Sequence, residues 1–102
     1  MAFDLQHKKF TFPSATGGPK LQRHIFRFDS PIRKADVAIT SFNCEFNGDD
    51  HPIQKLQVSA FVDKVNGPEA NVIVVYGMKD NTGTYDDPYS GELDIVVFAD
   101  LV

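Results

Sequence analysis

The chain has 102 residues, 42% of them hydrophobic and 24% charged, which suits one globular domain large enough to bury a core and small enough to gain from association. No apolar run approaches the ~20 residues of a membrane span, and ten Lys and Arg against fourteen Asp and Glu, a net charge of −4, provide no general field for a phosphate backbone; neither membrane insertion nor nucleic acid binding is expected. The one cysteine, Cys44, cannot form an intramolecular disulfide, and the polar start Asp4-Leu5-Gln6-His7-Lys8-Lys9 is no signal peptide, so the chain is expected either to stay inside a cell or to have lost a leader.

Residues 6–12 alternate weakly, with Phe10 and Phe12 facing one way, before Pro13-Ser14-Ala15-Thr16-Gly17-Gly18-Pro19 breaks any regular element; a short edge strand and a loop are predicted for residues 1–21. Residues 22–28 alternate with Phe26 and Phe28 together, and Asp29-Ser30-Pro31 ends the strand in a turn. Over residues 36–46 the apolar parity changes, from Val37 and Ile39 to Phe42, Cys44 and Phe46. That switch predicts a bulge, or a strand crossing between sheets, near Thr40-Ser41. A loop follows at 47–52.

The clearest strand is Leu56-Gln57-Val58-Ser59-Ala60-Phe61-Val62, where Leu56, Val58, Ala60 and Val62 alternate with polar partners at the two-residue period of a half-buried strand. It runs through Val65-Asn66-Gly67-Pro68, whose Asn-Gly pair predicts a tight hairpin, into the apolar run Val72-Ile73-Val74-Val75-Tyr76. A strand over 69–78, a polar loop over 80–91 and a last strand over 92–100 complete the chain. Six strands with no amphipathic helix predict an antiparallel sandwich or barrel.

Two strands, 72–76 and 93–98, are apolar on both faces, which a small sandwich with one side in water does not require. Either the N-terminal segment folds over the second face or another copy of the chain covers it.

The order Phe26-Arg27-Phe28-Asp29-Ser30-Pro31, Val37-Ala38-Ile39, Leu56-Gln57-Val58-Ser59-Ala60, Val65-Asn66-Gly67 and Leu93-Asp94-Ile95-Val96-Val97-Phe98-Ala99 resembles the H-type lectin domain family over about residues 22–101. The resemblance implies a six-stranded antiparallel β-sandwich assembling as a homotrimer, with sites for galactose or N-acetylgalactosamine at clefts between protomers. It makes residues 22–102 a lectin-like core in a single domain spanning 1–102. Where the family carries an arginine in the central strand this chain has Gln57, still a donor and an acceptor. Where the family has a Trp-His pair after the hairpin, Tyr76 offers an aromatic face with no histidine following. Tyr89 or Tyr85 stands for the tyrosine before the last strand.

Without the resemblance, the loop at 80–91 is the first candidate for a binding surface, because Tyr85, Asp86, Asp87, Pro88 and Tyr89 combine rings that stack on a sugar with carboxylates that accept from its hydroxyls. The plain alternative is a solvated turn. The candidate ligand set is therefore Gln57, Tyr76, Tyr85, Asp87 and Tyr89, for a glycan. No cofactor is expected. Asp80-Asn81-Thr82-Gly83 lacks the spacing of a calcium loop, and Asp49-Asp50-His51 has no second histidine spaced to complete a metal site. His7, His24 and His51 lie on separate segments, and Cys44 shares the parity of Phe42 and Phe46 as a small core residue, so catalysis is not expected. Noncatalytic carbohydrate recognition is the first expectation; a structural or adhesive trimeric module, as in a phage tail or cell-surface assembly, is the alternative.

Overall fold

The computed structural model describes residues 2–48, 53–80, 85 and 87–102. It is all-β, with six antiparallel strands: β1 (Ala2–Ala15), β2 (Lys20–Arg27), β3 (Ile32–Phe46), β4 (Ile53–Asn66), β5 (Glu69–Asp80) and β6 (Tyr89–Leu101). Two three-stranded sheets form a sandwich, sheet A in the order β1-β6-β3 and sheet B in the order β2-β5-β4. The chain crosses between sheets at every connection except the β4–β5 hairpin. At ~3.3 Å per residue a 14-residue strand spans about 46 Å, so the strands run most of the length of a molecule measuring 51 × 19 × 18 Å.

Local chemistry accounts for the irregularities. The parity switch in β3 is a bulge, its register shifting between Ile39 and Ser41, so Val37 and Ile39 before it and Cys44 and Phe46 after it all pack against the core. In β1 a second bulge between Phe12 and Ala15 accommodates Pro13, which has no amide hydrogen to give a ladder. The hairpin is as tight as the Asn-Gly pair predicts but shifted by one residue: Asn66 still pairs with Glu69, leaving Gly67 and Pro68 as the two-residue loop, and of Asn66 and Gly67 only Gly67 has positive φ, at 60°. That loop anchors the β2–β3 turn, its Pro68 and Gly67 carbonyls accepting from the Phe28 and Ile32 amides, each at 2.9 Å.

The core lies between the central strands. Val72, Val74, Tyr76 and Met78 of β5 face Leu93, Ile95, Val97 and Ala99 of β6, with Phe10, Phe12, Phe26 and Phe28 filling the flanks. The N-terminal segment does not fold over an outer face. It extends sheet A as a strand longer than predicted, pairing with β6 from Ala2 to Ala15.

Four edge strands leave two seams between the sheets. At the β1/β2 seam four inward register positions are polar, beside the core phenylalanines of the same strands: Gln6 and Lys8 pair opposite the inward Val97 and Ile95, and Gln22 and His24 opposite the inward Val74 and Val72. The glutamines stitch the sheets reciprocally. Gln6 Nε2 donates to the Arg27 carbonyl at 2.6 Å and Gln22 Nε2 to the Thr11 carbonyl at 2.8 Å. The β3/β4 seam holds a mostly apolar groove of about 540 Å³, lined by Ile39, Phe42, Leu56 and Val58 with Thr40 and Ser41 at the bulge. Phe42 and Leu56, read from sequence as core residues, keep inward parity yet remain 52% and 40% exposed where they line this groove.

Candidate functional site

The predicted ligand residues fall on two sides of sheet B. Tyr76 lies on the inward face of β5, opposite Val58, whereas Gln57 pairs with Gly77 on the outward face. A side chain at Gly77 would meet Pro19, its nearest atom at 2.9 Å, so the surface beside Gln57 is closed by the segment leading into β2. Gln57 and Tyr76 therefore do not meet in one cleft of this chain.

The tyrosines do come together, but in the core. Tyr76 and Tyr89 are each 1% exposed and pack edge to face with centroids 5.4 Å apart. Gly91 makes room for this: a Cβ there would come within 2.6 Å of the Tyr76 ring and 2.5 Å of the Asn43 carbonyl oxygen. The Tyr76 hydroxyl donates to the Ser90 carbonyl at 2.7 Å, and burial followed by the neighbouring Cys44 pushes its pKa up. The Tyr89 hydroxyl lies 3.0 Å from the Gly17 carbonyl and 2.9 Å from that of Gly18, tying down the glycine turn between β1 and β2; burial, then the adjacent Tyr85, raise its pKa. Tyr89 is thus the first residue of β6 and not part of the preceding loop. Tyr85 is half-buried against the core, its carbonyl accepting from the Gly17 amide at 2.8 Å and its ring lying 5.6 Å from Lys79 Nζ. Asp87 is half-buried on the approach to β6. Cys44 is half-buried as well, and burial raises its thiol pKa against the opposing Tyr76 hydrogen bond. These rings hold one end of the sandwich together, where stacking on a ligand would require opening the core.

A different surface has the donors and acceptors a polyol needs. On the outer face of sheet A, a concavity of about 310 Å³ is lined by Thr11, Pro13, Asn43, Glu45, Ser90 and Glu92, over the backbone at Gly91. The β1 bulge at Pro13 shapes one wall. Asn47 Nδ2 donates to Ser90 Oγ at 3.1 Å, and Ser90 Oγ lies 3.5 Å from Glu45 Oε1. Glu92 is paired with Lys9 at 3.5 Å. Among the described residues no cation lines the concavity itself, so its chemistry suits hydroxyl donors and disfavours phosphate or carboxylate ligands. Sequence reading missed this set because its members come from three strands far apart in the chain; Pro13 and Gly91, which mark irregular or crowded backbone, were the local signals.

Among the described residues no group of three His, Cys, Asp or Glu could hold a metal ion. The Asp49-Asp50-His51 cluster, Asn81-Thr82-Gly83 and Asp86 lie outside the described residues. Among the described residues no helix is long and apolar enough to cross a membrane. Comparison with protein-family models, curated proteins and solved structures finds no match to this chain.

Proposed function

We propose that this chain is a noncatalytic structural or adhesive module that works by self-association through the outer faces of its sandwich. One observation carries the reading: both outer faces present contiguous large apolar side chains. On sheet A, Leu5 pairs with Phe98, which neighbours the buried Val96 along β6, and Phe3 is 74% exposed beside them. On sheet B, Phe61 pairs with Ile73, with Leu21 and Ile25 exposed on the adjoining strand. Scattered exposed apolar residues need no explanation, but clusters on a sheet face mark interfaces. The edge strands sharpen the point, since β1 and β2 turn Leu5, Leu21 and Ile25 outward while placing Gln6, Gln22 and His24 inward. Size-exclusion chromatography with light scattering tests the reading. A mass above 11.4 kDa at micromolar concentration supports it, and the homotrimer implied by the H-type lectin resemblance is one such assembly; a monomer at every concentration removes it.

Weak carbohydrate recognition is the second reading, favoured by the cation-free concavity on sheet A. Asn43, Glu45 and Ser90 supply the acceptors and donors that sugar hydroxyls use, in place of the buried Tyr76 and Tyr89. Calorimetric titration of galactose and N-acetylgalactosamine into wild type and Asn43→Ala distinguishes the outcomes. Heat that disappears in the variant supports this site; no heat with wild type at millimolar sugar excludes it.

A further inference from the structure

The two outer faces differ in charge as well as in position. On sheet A, Asp36, Glu45, Glu92, Asp94 and Asp100 outnumber Lys9 and Lys34, all at register positions shared with the outward Val96 and Phe98. On sheet B, Arg23, Arg27, Lys55, Lys64 and Lys79 outnumber Glu69 and Asp63, around the outward Ile73. A chain with net charge −4 therefore carries one basic face. Both faces have an apolar patch amid this charge: Phe3, Leu5 and Phe98 on the acidic side, Leu21, Ile25 and Phe61 on the basic side.

Building on the self-association reading, we infer that copies pack head to tail, the acidic outer face of sheet A in one copy against the basic outer face of sheet B in the next. Face A against face A, or B against B, would cover the same apolar residues but bring like charges together, which costs association free energy and slows encounter. Only the heterologous pairing covers apolar surface and opposes unlike charge at once. A heterologous contact leaves one unused face of each kind on every pair, so assembly proceeds beyond a dimer, to a ring where the rotation closes and to an open stack where it does not. The basic face needs no acidic polymer as partner, because the chain supplies a complementary surface itself.

The test uses light scattering on the full chain over a range of sodium chloride concentrations, with two charge-reversed proteins. One carries Asp36→Lys and Asp94→Lys on face A; the other carries Lys55→Glu and Lys64→Glu on face B. Circular dichroism verifies that each remains folded, as expected for side chains on the outer faces. Association of wild type should weaken as salt rises, each reversed protein should associate at least about tenfold more weakly, and a 1:1 mixture of the two should regain association, since each reversed face then meets its reversed complement. If wild type is monomeric throughout, the self-association reading fails and this inference with it. If wild type associates but strengthens with salt, or if reversal on either face leaves the mass unchanged, self-association stands and the head-to-tail pairing is wrong.

Discussion

The sandwich has two seams built to opposite rules. Along β1/β2 the inward positions that flank the core phenylalanines are polar, and Gln6 and Gln22 each reach a backbone carbonyl of the other strand. Along β3/β4 the inward positions are apolar, and Phe42 and Leu56 remain partly in water. A polar seam closes by directed hydrogen bonds that satisfy backbone groups at a sheet edge. An apolar seam closes only when enough side chains meet, and here β3 and β4 leave a groove. The difference separates three sources of cohesion: the shared β5/β6 core holds the sheets together, the glutamines tie one edge by hydrogen bonds, and apolar side chains of β3 and β4 line the other.

Four experiments probe the two seams and the core between them. The largest effect is expected in the shared core. Gly91→Ala forces a methyl group into the Asn43 carbonyl and the Tyr76 ring, and should cost about 3 kcal/mol in urea unfolding through overpacking. At the open seam, Val58→Asp places a carboxylate where it can reach the groove, so the cost should be smaller, about 2 kcal/mol. A loss equal to that of Gly91→Ala would mean that β3 and β4 close over Val58. At the stitched seam, the double change Gln6→Ala with Gln22→Ala removes two exposed hydrogen bonds and should cost about 1 kcal/mol in total, close to the sum of the single changes. No loss at all would show that the glutamines do not hold this edge.

The smallest effect is a pH dependence at the same stitched seam. The His24 ring packs edge to face with Phe26 at 4.8 Å and lies 6.5 Å from Phe10. Burial, then the Lys8 cation, lower its pKa from the ordinary 6.5. The unfolded chain thus takes up this proton first as the pH falls. His24 contributes its full stabilisation above about pH 6.5 and loses it as the pH drops through the lower folded value. Melting temperatures measured from pH 7.5 to 5.5 should fall, and His24→Gln should flatten the slope; an unchanged slope in the variant would assign the dependence elsewhere.

Much of the fold was legible because it depends on parity. The two-residue alternation identified Phe10 and Phe12, Phe26 and Phe28, and the face change in β3 that proved to be the bulge between Ile39 and Ser41. The site was less legible, for two physical reasons. Where a strand is apolar on both faces, alternation does not say which side is inside, and Tyr76 lies on the core side. A strand that begins inside a polar stretch hides its first core residue, so Tyr89 read as loop although it is buried. The cation-free concavity lay beyond local reading altogether, since Thr11, Asn43 and Ser90 meet only through the β1-β6-β3 register. Edge closure was likewise invisible, because whether Phe42 and Leu56 are covered depends on the separation of two strands and not on either one's pattern.

Self-association through the outer faces of this sandwich requires that further copies of the same chain cover them. Light scattering of the wild-type protein from micromolar to submillimolar concentration, at low and at high salt, tests it most directly. The expected result is a mass above 11.4 kDa that rises with concentration and falls as salt is added. A constant mass of 11.4 kDa under all of these conditions would contradict it.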